Sequence, residues 1–277
     1  MRRVRLIKNA KPTLEGAGVR LHRAFGFGDE RIFDPFLMLD DFRNDDTRDY
    51  IAGFPWHPHR GIETITYMLE GNVEHADSLG NQGVISKGDV QWMTAGKGII
   101  HQEMPKPNPI GRMYGFQLWA NLPARQKMMN PRYRDIKAEQ IPLVKSSGGF
   151  EARIICGSLE GVTGPAQDIM IDPQYWDVFI PAGATATLPT AIGHTCFIYA
   201  YEGEAQIGGH RVGNRQTVLF DDGPEIEAQA GSEGFRMLFL CGRPLREAIV
   251  WKDSIVMNTR EEIQKAFLEL DKGTFIK

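Results

Sequence analysis

Short apolar stretches separated by turns run along most of this 277-residue chain. They are rich in Val, Ile, Thr and aromatic residues and are bounded by Gly or Pro, which is typical of β-strands. Many short strands at this spacing predict a sandwich or a barrel, so the expected fold class is all-β. The clearest predicted strands are residues 63–71, 90–93, 113–120, 150–157, 178–183, 194–203, 217–220 and 235–242.

One amphipathic helix is predicted near the C-terminus. Thr259 and Glu262 have the spacing of a capping box, in which two side chains satisfy backbone N–H groups at the start of a helix. Apolar residues follow at helical spacing, and Gly273 stands just past the last of them. The apolar face is expected to pack against a domain rather than to bind a partner. Its residues are Ile263, Ala266, Phe267 and Leu270.

The length of the chain fits about two domains of roughly 150 residues each. Between residues 131 and 149 the composition turns polar and ends in the run SSGG, so the connection between the domains is placed there. The predicted domains are residues 1–135 and residues 148–277, with the C-terminal helix and tail in the second.

Two pairs of polar residues, each with a spacing of two, carry the candidate chemistry. His57 and His59 form one pair, and His101 and Glu103 form the other. Alternate side chains of a strand point to the same face, so each strand can direct two ligands at one point. Three imidazoles and one carboxylate leave up to two positions of an octahedron open, which suits a reactive divalent transition ion better than a closed structural zinc site.

Glu63 is a second candidate for the carboxylate ligand. It lies four residues after His59 and shares its face in a regular strand, so spacing alone does not choose between Glu63 and Glu103. His75 is expected to be an ordinary hydrogen-bonded loop histidine rather than a residue that lines the pocket, and His194 is expected to be structural. The acidic run of residues 40–49 lacks the spacing of a calcium-binding loop and is expected to be a solvated loop.

An internal repeat indicates which half carries the metal. The sequences ITYMLEG and FIYAYEG share the pattern of a strand that ends in Glu-Gly, so the chain is interpreted as two copies of one barrel. The spacing between these two matching sequences aligns the first histidine pair with Pro189 and Ala191, and Glu63 with Thr195. A looser alignment of the Gly-rich turns places Met237 and Phe239 at the positions of the second pair. The second barrel is therefore expected to have no metal ligands.

Charge and composition suggest neither nucleic acid nor a membrane as a partner. The net charge of −3 and the sequence pI near 6.2 give no reason to expect nucleic acid. The sequence has no apolar run near the roughly 20 residues of a membrane span and no signal-peptide pattern, so a cytoplasmic protein is expected. Cys156, Cys196 and Cys241 are far apart in apolar runs and are predicted to be buried thiols.

Two long motifs, GFPWHPHRGIETITYMLEG and GDVQWMTAGKGIIHQEMP, resemble the pirin family of the cupin superfamily, and PLREAIVWKDSIVMNTREEI resembles its C-terminal tail. The resemblance covers nearly the whole chain. It implies a bicupin, two cupin β-barrels face to face, with Fe(II) in the N-terminal barrel. The residues that match the family's ligands are His57, His59, His101 and Glu103, which favours Glu103 as the carboxylate and leaves Glu63 in an outer shell or facing the substrate.

The resemblance also implies an activity. The resemblance to pirins, with their quercetinase activity, implies an Fe(II)-dependent dioxygenase. Its substrates would be O2 and a flavonol such as quercetin, or another phenol. The reaction would cleave the heterocyclic ring at the 2,3 bond with release of CO. Glu103 would serve as ligand and as catalytic base. The alternative is an iron-dependent, redox-sensitive regulatory protein that binds a transcription factor or a metabolic enzyme. A cupin isomerase or small-ligand binder has no motif of its own here.

Overall fold

The computed structural model describes residues 1–107 and 109–277. Most of these residues lie in strands, which confirms the all-β prediction. The α-helix of the described chain is α1 (Arg260–Asp271). The strands are β1 (Val4–Asn9), β2 (Lys11–Glu15), β3 (Val19–Phe25), β4 (Phe36–Asp41), β5 (Phe54–His59), β6 (Ile62–Glu70), β7 (Asn72–Asp77), β8 (Gln82–Ile85), β9 (Val90–Thr94), β10 (Ile99–Lys106), β11 (Tyr114–Asn121), β12 (Arg132–Ile136), β13 (Leu143–Ser146), β14 (Phe150–Cys156), β15 (Ser158–Leu159), β16 (Val162–Thr163), β17 (Gln174–Ile180), β18 (Thr185–Pro189), β19 (Thr195–Ile207), β20 (His210–Gly213), β21 (Gln216–Phe220), β22 (Glu225–Gly242), β23 (Val250–Lys252) and β24 (Ile255–Met257).

Each predicted strand overlaps an observed strand, and one of them is displaced. The stretch predicted at 178–183 belongs to β17, which runs from Gln174 to Ile180. Asp177 interrupts the apolar pattern in the sequence, yet it is buried because the Tyr201 hydroxyl donates a hydrogen bond to its carboxylate. The strand ends before Pro181, which lacks the N–H that a continuing ladder needs.

The described chain forms two compact units. We call them the N-terminal unit (Pro12–Ile32, Phe36–Ala138 and Leu245–Lys277) and the C-terminal unit (Met1–Lys11, Phe33–Pro35 and Glu139–Pro244). They differ from the predicted division at both termini. The first strand, β1, pairs with β21 of the C-terminal unit, whereas the tail after residue 244 belongs to the N-terminal unit.

The polar segment from residue 131 to residue 149 contains β12 and β13 as well as the point at which the units divide. β12 pairs with β9 at one edge of a sheet, and β13 pairs with β14 at the edge of another. An edge strand has one free side, which explains why these two strands have the polar composition of a linker.

In the N-terminal unit an antiparallel sheet in the order β12-β9-β6-β11-β4-β3-β2 accompanies a smaller sheet in the order β5-β10-β7-β8. Buried apolar residues of both sheets form one cluster, which includes Leu21 and Met68 from the larger sheet and Val73 and Ile85 from the smaller one. The pairing of β5 with β10 brings the two predicted ligand pairs onto neighbouring strands.

The C-terminal unit is built on one sheet in the order β1-β21-β19-β22-β17-β14-β13, to which β18 and β20 add. Its core is apolar. Met237 and Phe239, which the repeat aligns with His101 and Glu103, are fully buried in that core, and Phe239 stacks on Trp176 with ring centroids 4.6 Å apart. Close-packed apolar side chains occupy these positions of the repeat.

The C-terminal helix begins as the capping pattern predicts. The Thr259 hydroxyl accepts a hydrogen bond from the Glu262 backbone, and the Glu262 carboxylate accepts one from the Thr259 backbone. Ile263 and Ala266 pack with Ile255 of β24 in a buried cluster, which attaches the helix to the N-terminal unit. Among the described residues, the chain has no helix with the length and apolar character needed to cross a membrane.

Lys127 joins the tail to the body of the N-terminal unit. The side chain is buried, and its ammonium donates to Gly61 O at 2.9 Å, Asn121 Oδ1 at 2.6 Å and Val256 O at 2.9 Å. Burial lowers the pKa of Lys127 to about 7. Three acceptors around one ammonium are a complete set of partners.

Lys127→Met is expected to lower the free energy of unfolding by about 2 to 4 kcal/mol, because methionine fills the space but leaves buried oxygen acceptors without a donor. Urea denaturation followed by circular dichroism measures this. Lys265→Met, at an exposed position of α1, is the control and is expected to change stability by less than about 0.5 kcal/mol. Equal effects of the two substitutions would contradict a structural role for the Lys127 ammonium.

Candidate metal centre

Three histidines of the N-terminal unit converge at β5 and β10. His101 lies directly opposite His57 in the strand pairing, and His59 is two residues further along β5. Their ring centroids are 4.4 Å (His57 and His101), 4.8 Å (His57 and His59) and 5.0 Å (His59 and His101) apart. One ring nitrogen from each lies within 4.8 Å of the others, so the three imidazoles form a group that can hold a metal ion.

Backbone carbonyl groups orient two of these rings. His57 Nδ1 donates to Pro55 O at 2.8 Å, and His59 Nδ1 donates to Ser254 O at 3.2 Å. A carbonyl oxygen only accepts, so Nδ1 carries the proton in each ring and Nε2 keeps its lone pair. Ser254 belongs to the C-terminal tail, which therefore takes part in building the site.

The free nitrogens fit a divalent ion. Within the described residues, His59 Nε2 and both ring nitrogens of His101 are buried and have no hydrogen-bond partner. Buried polar atoms are almost always satisfied, so a cluster of unpartnered nitrogens indicates an ion or water that completes it. Burial and the neighbouring histidines hold the pKa of His59 and of His101 well below 6.5, which keeps both imidazoles neutral, the form that binds metal.

Glu103 lies beside this group. Its buried carboxylate accepts hydrogen bonds from Thr66 Oγ1 at 3.0 Å and Gln117 Nε2 at 3.3 Å. Burial raises the pKa of Glu103, while His57 and the two hydrogen bonds oppose that change. The pairing of β10 with β5 shifts between His101 and Glu103, so Glu103 lies opposite Phe54. Among the described residues, the group of possible ligand atoms within 4.8 Å of one another contains the three histidines and not Glu103, which lines the same cavity as His57 and His59.

Glu63 has different surroundings. Its carboxylate is buried on β6, accepts a hydrogen bond from Thr94 Oγ1 at 2.6 Å and lies 4.0 Å from Arg132 Nη2. Burial raises the pKa of this carboxyl group. Glu63 does not line the cavity described below, whereas Glu103 does. The structure therefore separates two carboxylates that the sequence pattern left as equivalent candidates.

The prediction of a loop position for His75 is wrong. His75 lies in β7, opposite Glu103 of β10, and is buried with its ring stacked on Tyr133 at 5.5 Å between centroids. Its Nε2 is 3.7 Å from Asp135 Oδ1. A short polar sequence between two predicted strands resembled a loop, although β7 is itself a strand between β10 and β8.

A cavity of about 610 Å³ opens beside the histidines. Its polar wall includes Thr66 and Gln117 as well as Glu103, and Trp251 and Ser254 of the C-terminal tail contribute to it. Sequence reasoning missed these tail residues, since nothing in their spacing connects them with the histidine motifs. The aromatic residues of the lining are Phe42, Phe54, Trp56, Trp119 and Trp251.

The acidic run was also interpreted incorrectly at its start. Asp40 and Asp41 are buried in β4, where the Arg23 and Arg43 guanidinium groups pair with them, and only the later part of residues 40–49 lies outside the strand. Asp40 lines the cavity together with Arg23. The available signal was the apolar run FLML that leads directly into these carboxylates.

Comparison with known proteins agrees with this geometry. Residues 18–120 match the family model described as pirin, and residues 175–276 match the model of the pirin C-terminal cupin domain. A pirin-like protein of Caulobacter vibrioides is 44% identical over 276 residues, which cover 99% of each chain. This chain belongs to the pirin family. The prediction of two cupin domains is confirmed.

Solved structures share the pirin fold of this chain. Quercetin 2,3-dioxygenase from Acinetobacter baumannii is 31% identical with a TM-score of 0.91, and the match covers 99% of this chain and 98% of that one. The bacterial pirin YhhW from Escherichia coli, solved in complex with nickel(II), is 22% identical with a TM-score of 0.66 over 86% of this chain and 98% of that one. At that identity the likeness to YhhW shows the fold alone.

Proposed function

We propose that this pirin-family protein is an Fe(II)-dependent dioxygenase that opens the heterocyclic ring of flavonols such as quercetin and releases CO. The observation that carries the proposal is the group of three converging imidazoles beside an aromatic-walled cavity, of which His59 and His101 are buried and have unpartnered ring nitrogens within the described residues. The likeness to the Acinetobacter baumannii quercetin 2,3-dioxygenase over nearly the whole chain supports the same reaction class.

His57, His59 and His101 would hold the metal, with Glu103 as the fourth ligand. Three neutral imidazoles and one carboxylate leave a divalent ion with residual positive charge and open positions. Bound Fe(II) would supply Lewis acidity toward a phenolic hydroxyl and redox chemistry toward O2. The carbonyls of Pro55 and Ser254 keep two rings in the orientation that ligation requires.

Glu103 is also the proposed base. It lines the cavity, and Thr66 and Gln117 hold its carboxylate in place. Glu103 would take the proton of the substrate hydroxyl.

The aromatic side chains of the cavity would bind the flat rings of the substrate and exclude water. His59 packs edge-on against Trp119 with ring centroids 5.1 Å apart, and Trp119 in turn contacts Trp251 at 5.8 Å. Aromatic walls of this kind bind planar phenols through area burial and ring contacts. The substrate hydroxyl would thus be positioned next to the ligand group.

The test is anaerobic loading with Fe(II), followed by addition of quercetin and O2. Consumption of O2, release of CO and loss of the flavonol absorbance are expected together, because one ring opening produces all three. Protein loaded with redox-inert Zn(II) is the control and is expected to bind quercetin without turnover. An Fe(II)-loaded protein that consumes no O2 with any flavonol would refute the proposal and favour the regulatory alternative, in which Fe(II) and Fe(III) forms differ in affinity for a protein target.

A further inference from the structure

A row of polar side chains crosses the larger sheet of the N-terminal unit toward Glu103. Arg23 of β3 lies opposite Asp40 of β4, Asp40 lies opposite Gln117 of β11, and Gln117 lies opposite Thr66 of β6. Directly opposed residues of antiparallel strands share a face, and all four residues line the cavity. Thr66 and Gln117 bind Glu103, so Arg23 and Asp40 form the other end of the same row.

Arg23 is held rigidly at that end. Its Nε donates to Asp40 Oδ1 at 2.8 Å and its Nη2 donates to Asp40 Oδ2 at 2.7 Å, a bidentate pair, while Nη2 also lies 2.8 Å from Glu15 Oε1. The Asp40 carboxylate is almost fully buried, whereas a quarter of the Arg23 side chain (26%) is exposed. Within the described part of the chain, Arg23 Nη1 makes no hydrogen bond. The fork leaves one nitrogen, Nη1 with its two N–H groups, available to a ligand.

The charges around Arg23 decide what that ligand can be. One guanidinium faces two carboxylates, Asp40 and Glu15, and all three residues line the cavity. The excess of negative charge disfavours a ligand that carries a carboxylate. A neutral hydroxyl suits the position, because it can accept a hydrogen bond from Arg23 Nη1 and donate one to a neighbouring carboxylate oxygen.

We propose that Arg23, supported by Asp40 and Glu15, determines specificity by binding a hydroxyl group on the substrate remote from the one at the metal site. The inference rests on the proposed function and names its substrate class, a neutral polyhydroxylated aromatic compound. Arg23 and Gln117 are separated by two strand spacings, about 10 Å, which fits a ligand of more than one ring. A single-ring phenol at the histidines would not reach Arg23.

Quercetin and 3-hydroxyflavone test this inference, since both have the 3-hydroxyl but only quercetin has others. Binding is measured by tryptophan fluorescence on Zn(II)-loaded protein, in which no turnover occurs. The unmodified protein is expected to bind quercetin at least about 10-fold more tightly than 3-hydroxyflavone, which is the contribution of one hydrogen bond to a charged group. Arg23→Gln is expected to reduce this ratio to about 2-fold by weakening quercetin alone. Arg20→Gln, which changes an exposed arginine of β3 paired with Asp49, is the control and is expected to keep the ratio.

Arg23→Gln leaves the buried Asp40 without its partner, so the variant Arg23→Gln/Asp40→Asn, which replaces the ion pair by two amides, is measured as well. Equal zinc content and melting temperature of variant and parent show that the fold and the metal centre persist. An unchanged quercetin preference in a folded variant, no preference in the unmodified protein, or no binding of either compound would overturn the inference. Binding with the expected preference but without O2 uptake by the Fe(II) form would instead refute the dioxygenase proposal alone.

Discussion

His101→Ala is expected to remove the metal and to abolish flavonol turnover while the protein stays folded. His101 is fully buried beside His57 and His59, and its ring nitrogens have no hydrogen-bond partner within the described residues. Loss of an outer partner of a metal ligand typically costs about 10-fold to 100-fold in affinity, and loss of a ligand is expected to cost more. Metal content after dialysis and O2 uptake with quercetin measure the effect.

The control for this substitution is His75→Gln, which changes a buried histidine of the neighbouring strand β7 that is not part of the three-histidine group. It is expected to retain the metal. The melting temperature of His101→Ala should remain close to that of the metal-free parent, because the core clusters of the N-terminal unit are apolar. Full metal retention by His101→Ala, or metal loss only in His75→Gln, would show that the site has been assigned to the wrong residues.

Glu103→Gln is expected to lower flavonol turnover by about 100-fold to 10,000-fold, the usual contribution of a general base, and to weaken metal binding as well. The carboxylate lines the cavity and is oriented by Thr66 and Gln117. An amide has nearly the same shape but neither the charge of a ligand nor the basicity of a proton acceptor. Steady-state O2 uptake at saturating Fe(II) separates the loss of turnover from the loss of metal.

Glu63→Gln is the matched comparison, because Glu63 is equally buried but faces Thr94 and Arg132 instead of the cavity. Its effect on metal content and turnover is expected to stay within about 10-fold to 100-fold, the range of outer partners. If Glu63→Gln alone released the metal, the carboxylate ligand would be Glu63 and the role proposed here for Glu103 would be wrong.

The shared orientation of the residues within each pair was predictable because it depends on local geometry. The pairing of β5 with β10, which places His57 opposite His101, joins distant parts of the chain and was indicated only by the resemblance to the pirin family. His57 and His59 are two residues apart, as are His101 and Glu103, and a strand directs such pairs to one side. The same reasoning predicted the capping box of α1, whose two hydrogen bonds are formed within one turn of the helix. Both inferences needed only the side-chain period and contacts over a few residues.

Features that depend on contacts between distant parts of the chain were not predictable in this way. The backbone carbonyl of Ser254 orients His59, which lies 195 positions away in the sequence. Every residue has a backbone carbonyl, so the residue type at position 254 does not indicate this contact. The assignment of the first strand to the C-terminal unit has the same origin, because β1 pairs with β21, which is distant in sequence. The burial of Asp40 depends on Arg23, 17 positions earlier, and without that partner a run of aspartates is read as solvated.

Anomalous diffraction at the iron edge from crystals of the Fe(II)-loaded protein locates the metal. One strong peak per chain is expected, about 2.1 Å from a ring nitrogen of each of His57, His59 and His101, with a carboxylate oxygen of Glu103 as the fourth protein ligand. A peak outside these histidines, or a second one of equal strength in the C-terminal unit, would contradict this assignment.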